Sequence, residues 1–319
     1  MRIVYFGSSS FGIPSLRALG ESGHDLVGIF TQPARPAGRH KTPKPTAVAE
    51  WAKGNSIACS EAENINTRRN LAAVAACRAD LLVVIAFGQK ISREVIDLHP
   101  KGAINVHASL LPKYRGAAPI NAAIMEGETE TGVSIITLAD RMDAGFVLGQ
   151  VKTDIAPDDT AESLHDKLAK LSRRVLMETI YKIEAGTAVY SRQDESRVSF
   201  AYKLRKSDGF IDWSRPAEEI ANLARGLWSW PGAQTDYVSA KTSKCCRVTI
   251  AQACAVPAAC SAPGTYGLLD EDLNVICGKD RLKILKIKPA GSGLMDFKDF
   301  VNGRATSPGD LFMAIEEGR

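Results

Sequence analysis

The sequence predicts an α/β domain built on a doubly wound parallel sheet, followed by a smaller β-barrel with one helix. Three observations carry that expectation. Short β-branched runs alternate with longer helical stretches over the first half, and such alternation implies parallel strands joined by crossover helices. Beyond Asp208 the texture changes to one helix and short β-like runs broken by Gly and Pro, as in a small barrel. The 319 residues also exceed what one ordinary core of about 100 to 200 residues absorbs.

Taken in order, residues 2–6 (RIVYF), 25–30 (DLVGIF), 80–87 (DLLVVIAF), 103–108 (AINVHA) and 133–138 (VSIITL) read as strands. Several are apolar on consecutive positions, the mark of a sheet buried on both faces. Residues 13–22, 46–54 and 67–77 read as the helices between them. An amphipathic helix over 160–184, with Leu164, Leu168, Leu171, Val175 and Ile180 near helical spacing, closes the first domain. The polar stretch SRQDESRVS (191–199) reads as linker. The second domain then offers a helix over 216–227 and β-like runs at 247–251, 273–277 and 282–287. The expected organisation is a first domain over 1–189, a linker over 190–205 and a second domain over 206–319.

Composition narrows the function classes. Hydrophobic residues at 45% and charged residues at 24% match a folded globular chain and argue against extended disorder. The longest purely apolar run, 81–87, falls far short of the roughly 20 residues a membrane span requires. The opening MRIVYFG shows no signal-peptide pattern, so a cytoplasmic protein with no membrane partner is expected. Seven cysteines form no C-x-x-C pair, and the last of the five histidines is His165. A mixed zinc site in the C-terminal half is therefore not expected, and the thiols read as reduced and mostly buried. The net charge of +4 is too mild to establish a nucleic-acid partner without a local arrangement of cations.

In doubly wound sheets the ligand lies outside the carboxyl ends of the strands. The loop after the first strand reads GSSSFG rather than G-x-G-x-x-G, and FTQPA follows the second strand where a dinucleotide fold sets an acid. No nicotinamide cofactor is expected, although backbone amides at that helix start suit a carboxylate or phosphate. Asn105 and His107 stand two apart near a strand end, so their side chains share one side. They are either a core pair satisfied by backbone or two donors for a developing oxyanion. A carboxylate beside such a His favours its charged form, and Asp143, in the loop past the 133–138 strand, is either an ordinary surface-loop residue or the one that supplies it. No covalent-catalysis, metal or Walker signature competes. The nucleophile is then expected from the substrate, which favours a transferase.

The stretch QPARPAGRHKTPKP (32–45) carries Arg35, Arg39, Lys41 and Lys44 with no acid. It is either a solvated loop or a contact for phosphate or a nucleic-acid end. Two further basic clusters, Lys241, Lys244 and Arg247, then Arg281, Lys283, Lys286 and Lys288, fall in the expected barrel.

The combination INVHASLLPKYRGAAPI with a downstream MDAG resembles the folate-dependent formyltransferases. FTQPARPAGR, VVIAFGQKI, DGFIDW and WPGA match in order the members that formylate methionyl initiator tRNA, over essentially the full length. The resemblance implies a Rossmann-like catalytic domain and an OB-like β-barrel domain that binds tRNA. It implies 10-formyltetrahydrofolate as formyl donor, with no metal and no obligatory protein partner. Asn105, His107 and Asp143 would be catalytic, Ser109, Leu110, Leu111 and Pro112 would form the folate edge, and Phe87, Gly88 and Ile91 the pterin pocket. Arg39, with Arg35, Lys41 and Lys44, would meet the tRNA acceptor end. The chain departs from the family at GSSSFG, usually G-T-P-x-F-A, and at HKTPKPTAVA, where the basic loop is shorter. Formyl transfer to a small amine, such as a sugar nucleotide or glycinamide ribonucleotide, and a tRNA-binding module without activity are the competing readings.

Overall fold

Consecutive β-branched and aromatic residues make the central strands, and a computed structural model describes residues 1–37, 42–258 and 264–315. The chain divides into two compact units, Met1–Gly116 with Thr131–Thr153 and His165–Phe200, and Ala117–Glu130 with Asp154–Leu164 and Ala201–Arg319. Two short stretches of the first half thus belong to the second unit, which a reading along the chain does not anticipate.

The first unit is built on a seven-stranded sheet in the order Val147–Asp154, Glu130–Thr137, Ala103–His107, Leu81–Ile85, Arg2–Gly7, Asp25–Thr31, Ser60–Glu61. Arg2–Gly7 lies parallel to both Asp25–Thr31 and Leu81–Ile85, and Leu81–Ile85 parallel to Ala103–His107. The five residues Leu81–Ile85 are all buried, as expected for a strand covered on both faces. Val4, Phe6, Phe30, Leu82, Val84 and Phe87 share one core cluster, each contributing about 1.5–3 kcal/mol by burial. One expectation needs correction: Glu130–Thr137 runs antiparallel to Ala103–His107. The sheet is therefore mixed, and open α/β sheets that are otherwise parallel commonly carry antiparallel strands toward one edge.

Helix starts are set locally. Thr46, Thr67 and Ser92 each accept a hydrogen bond from the backbone N–H three residues on, at 3.1, 3.4 and 3.4 Å, and begin Ala47–Gly54, Arg68–Ala76 and Arg93–Ile96. Ile13–Gly20 begins with Pro14 in its first turn. The long helix Ala161–Glu184 meets it through Ser172, whose hydroxyl lies 2.9 Å from that of Ser15. At Gly12 an added Cβ would collide with the buried Tyr5 phenol, which accounts for that glycine in the GSSSFG loop by packing.

The second unit holds a β-barrel sheet in the order Val275–Ile276, Arg281–Pro289, Cys245–Val256, Ala233–Val238, Leu311–Met313, with Met295–Asp296 paired to Arg281–Pro289. Its strand pairs are antiparallel. Ile220 and Ala224 of helix Ala217–Leu227 pack into a core with Trp213, Tyr237, Ile250 and Phe312. Asp310, fully buried there, accepts hydrogen bonds from the Tyr237 hydroxyl and from the N–H groups of Ala240 and Ser307 at 2.8 and 3.0 Å.

Two further expectations change. Of the six described cysteines only Cys277 is buried, while Cys245 and Cys254 are exposed. They sit on the barrel strand Cys245–Val256, which alternates faces; Cys260 lies outside the described residues. In the barrel, Lys283, Lys286 and Lys288 are exposed, but Arg247 is clamped by Asp236 at 2.6 and 3.1 Å and Arg281 lies 3.5 Å from Asp270. The basic face is a face of lysines.

Candidate active site

The Ala103–His107 strand ends at the sheet edge where Leu81–Ile85 and Arg2–Gly7 also end. Asn105 is half-buried and His107 is 5% exposed. After His107 the chain turns back, with Tyr114 in the left-handed region at φ 62°. The turn brings the Tyr114 carbonyl to 2.8 Å from His107 Nε2. A carbonyl can only accept, so Nε2 carries a proton. His107 Nδ1 faces Asp143 Oδ2 at 3.6 Å, longer than a hydrogen bond. The Asp143 carboxylate is 14% exposed and accepts the Gly116 N–H at 2.8 Å. Both ring nitrogens thus face oxygens, an arrangement that an imidazolium satisfies on both sides. Among the described residues, no partner hydrogen-bonds the Asn105 carboxamide.

Asp143 reaches this place by an unexpected route. Because Glu130–Thr137 is antiparallel to its neighbour, with His107 opposite Ser134 and Ile104 opposite Thr137, its carboxyl end lies away from the end of the His107 strand. The 138–146 loop returns along the sheet to deliver the carboxylate.

The Ser109–Pro112 stretch is braced from the neighbouring strands. Ser134 donates to the Ser109 carbonyl at 2.6 Å and accepts the Leu111 N–H at 3.1 Å. Gln150 donates to the Leu111 carbonyl and to Ser134, both at 2.8 Å. Ser109 itself is buried, its hydroxyl donating to the Lys113 carbonyl at 2.6 Å, and Leu111 is buried, while Leu110 and Pro112 are half-buried. The side chains of Phe87 and Ile91 pack in the core cluster, so the Phe87–Gly88 turn offers main chain to a ligand. Gln32 Nε2 and Ser8 Oγ donate to the Phe87 carbonyl at 2.8 and 3.2 Å and hold that turn. A cleft of about 280 Å³ opens there, lined by Ser8, Ser9, Gln32, Arg35, Lys44 and Gly88 among others. It joins the expected pterin edge to the basic stretch.

That basic stretch is a hairpin in its described part. Arg35–Ala37 pairs antiparallel with Thr42–Lys44, and Arg35 stands directly opposite Lys44, both exposed. Like charges directly opposite one another destabilise a strand pair, so the hairpin gains from an anion. Arg39 and Lys41 lie outside the described residues. Ser8, Gln32, Ser134, Gln150 and Gly116 escaped the sequence reading. Their partners are distant in sequence and only the fold brings them near, although Ser8 and Gln32 lie in the GSSSFG loop and the 32–45 stretch that the sequence does mark.

An α/β sheet with His107 facing Asp143 at a strand end, in a chain that also carries a β-barrel unit, is an arrangement that suits a group-transfer enzyme. The chain belongs to the formyl transferase family: residues 1–180 match the formyl transferase model and 203–305 the model of the formyl transferase C-terminal domain. Among its relatives, a methionyl-tRNA formyltransferase of Trichlorobacter lovleyi is 39% identical over 99% of this chain and 98% of that one. One of Bacillus subtilis is 36% identical over 97% of each. Among solved structures, WlaRD, a sugar 3N-formyl transferase crystallised with dTDP and 5-N-formyl-THF, aligns with a TM-score of 0.63 at 16% identity, over 92% of this chain and 99% of that one. HypX from Aquifex aeolicus in complex with tetrahydrofolic acid aligns with a TM-score of 0.61 at 16% identity over 97% of this chain. This chain spans 48% of the length of HypX. At such identities these likenesses establish the fold.

Proposed function

We propose that the chain transfers the formyl group of 10-formyltetrahydrofolate to the α-amino group of methionine esterified to initiator tRNA, in the cytoplasm, for translation initiation. The observation that carries this reading is His107 set between the Tyr114 carbonyl and the Asp143 carboxylate, on the strand of Asn105, whose amide has no hydrogen-bond partner among the described residues. The full-length relatives named methionyl-tRNA formyltransferase support the choice of acceptor.

The α-amine attacks the formyl carbon, and negative charge develops on the formyl oxygen. The Asn105 amide and the His107 Nδ1 proton, which has no short partner at 3.6 Å, are the donors for that oxygen. Asp143 balances the imidazolium charge and takes the proton released by the amine. The carbon–nitrogen bond to the folate then breaks, the proton passes to the folate nitrogen, and tetrahydrofolate leaves. The Phe87–Gly88 main chain and the Leu110–Pro112 edge would hold the folate, with Ser109 and Ile91 supporting them from the core. Arg35 and Lys44, with Arg39 and Lys41, would meet acceptor-end phosphates, and the lysine face of the barrel would add phosphate contacts. In this reading residues 1–189 are the catalytic domain, 190–205 the connection and 206–319 the tRNA-binding domain.

The test follows tetrahydrofolate release on addition of charged initiator tRNA, alongside loss of the free α-amine. Stoichiometric loss of both supports the proposal. Release only with an amino-sugar nucleotide would assign the site to a small amine instead.

A further inference from the structure

A short segment that reads as linker reaches into the active site. Asp143 holds a left-handed backbone conformation at φ 52°, which a non-glycine residue keeps only where its surroundings impose it. Gln193 Nε2 supplies that constraint by donating to the Asp143 carbonyl at 2.7 Å and to the Gly145 carbonyl at 2.8 Å. Gln193 is itself oriented by Arg115, whose Nε and Nη2 donate to its Oε1 at 3.1 and 2.8 Å. With the oxygen end held by two guanidinium donors, the amide can only turn its NH₂ toward Asp143. Arg115 is 3% exposed and is neutralised by Glu195, which accepts from Nη2 at 2.8 Å. The same guanidinium holds the Glu195 carboxyl below its ordinary range. The residue after Arg115, Gly116, donates to the Asp143 carboxylate.

We propose that Gln193 and Arg115 are positioning residues for formyl transfer, together with Glu195 fixing the Asp143 loop so that its carboxylate faces His107. Neither touches the reacting atoms. Their effect passes through the peptide carbonyls on either side of Ala144, and misplacement of a reacting group by about 1 Å can cost on the order of 10²-fold in rate. The Arg115 fork explains why lysine would not serve: one ammonium cannot hold the planar pair of contacts to Gln193 while meeting Glu195.

The proposal rests on the formyl-transfer reading for its kinetic test, and hydrogen exchange tests it without that reading. Gln193→Leu is expected to lower kcat by at least about tenfold with KM for folate and for charged tRNA changed less than about twofold, and Arg115→Lys to fall between it and wild type. In an Asp143→Asn background, Gln193→Leu should cost less than about twofold more, because its effect acts through the carboxylate already removed. Equal factors in both backgrounds, or a loss confined to KM, would overturn the proposal. Independently of any substrate, the Gly116 amide should exchange at least about tenfold faster in Gln193→Leu while amides of the Leu81–Ile85 strand keep their protection. Unchanged Gly116 exchange would overturn it as well. A wild type that transfers no formyl group, with the Gly116 amide still exchanging faster in Gln193→Leu than in wild type, would retain the positioning role and remove the functional reading.

Discussion

His107→Ala removes one of the two proposed oxyanion donors and the group that faces Asp143 while the strand around it keeps its apolar contacts. Transfer should fall by about 10²- to 10³-fold with the urea midpoint little changed. Steady-state kinetics retaining more than about a tenth of wild-type kcat would contradict the role assigned to it. The histidines outside the site make a separate forecast. Burial holds the imidazoles of His99 and His24 below their ordinary value of 6.5, against weaker opposing pulls from the Ile96 and Val95 carbonyls and from Glu184. Below that value the unfolded chain takes up protons that the folded chain refuses, so stability is full above about pH 6.5 and falls as pH drops toward the lowered folded values. Urea denaturation at pH 7.5 and 5.5 should show that fall, and His99→Gln should flatten it. A midpoint independent of pH over that range would contradict it. At this scale Asn105 and His107 were legible because two polar residues two apart in an apolar strand are hard to explain by packing. Gln193 was not, since its partners are peptide carbonyls some 50 residues away in sequence, at 143 and 145.

The strands were legible for a physical reason: 81–85 and 2–7 are covered on both faces, and continuous apolar runs mark such strands. The parallel run of 2–7, 25–31, 81–85 and 103–107 was legible from the alternation of β and α, but that alternation says nothing of the last crossover, after which Glu130–Thr137 runs antiparallel. The basic hairpin carries the prediction that belongs to elements. Arg35 opposite Lys44 is an unfavourable pair until an anion sits between them. Arg35→Ala should raise KM for charged tRNA far more than KM for folate, and the salt dependence of the tRNA KM should become shallower by about one counterion. Formylation of a methionine ester, which has no acceptor stem, should hardly change. Equal losses on tRNA and ester would move Arg35 to the folate side of the cleft.

Each unit of the molecule carries its own core, one centred on Val4, Phe6 and Phe87 and the other on Trp213, Tyr237 and Phe312. In the second, burial and then the Asp310 carboxylate push the Tyr237 phenol up to about 12. Asp310→Ala orphans the donors of Tyr237, Ala240 and Ser307 and should cost about 3 kcal/mol in urea unfolding, whereas a loss under about 1 kcal/mol would contradict the role of this buried cluster. The change of texture after Asp208 was legible as a second domain. The membership of 117–130 and 154–164 in the second unit was not, since packing rather than chain order decides it. The central claim concerns the whole chain: that the Asn105, His107 and Asp143 site serves a charged tRNA. The most direct measurement is a single-turnover reaction with a labelled formyl donor, charged initiator tRNA and an amino-sugar nucleotide present together. Label is expected on the methionyl α-amine of the tRNA and is expected to be lost in His107→Ala. Label on the sugar nucleotide alone, or on neither acceptor, would contradict the claim.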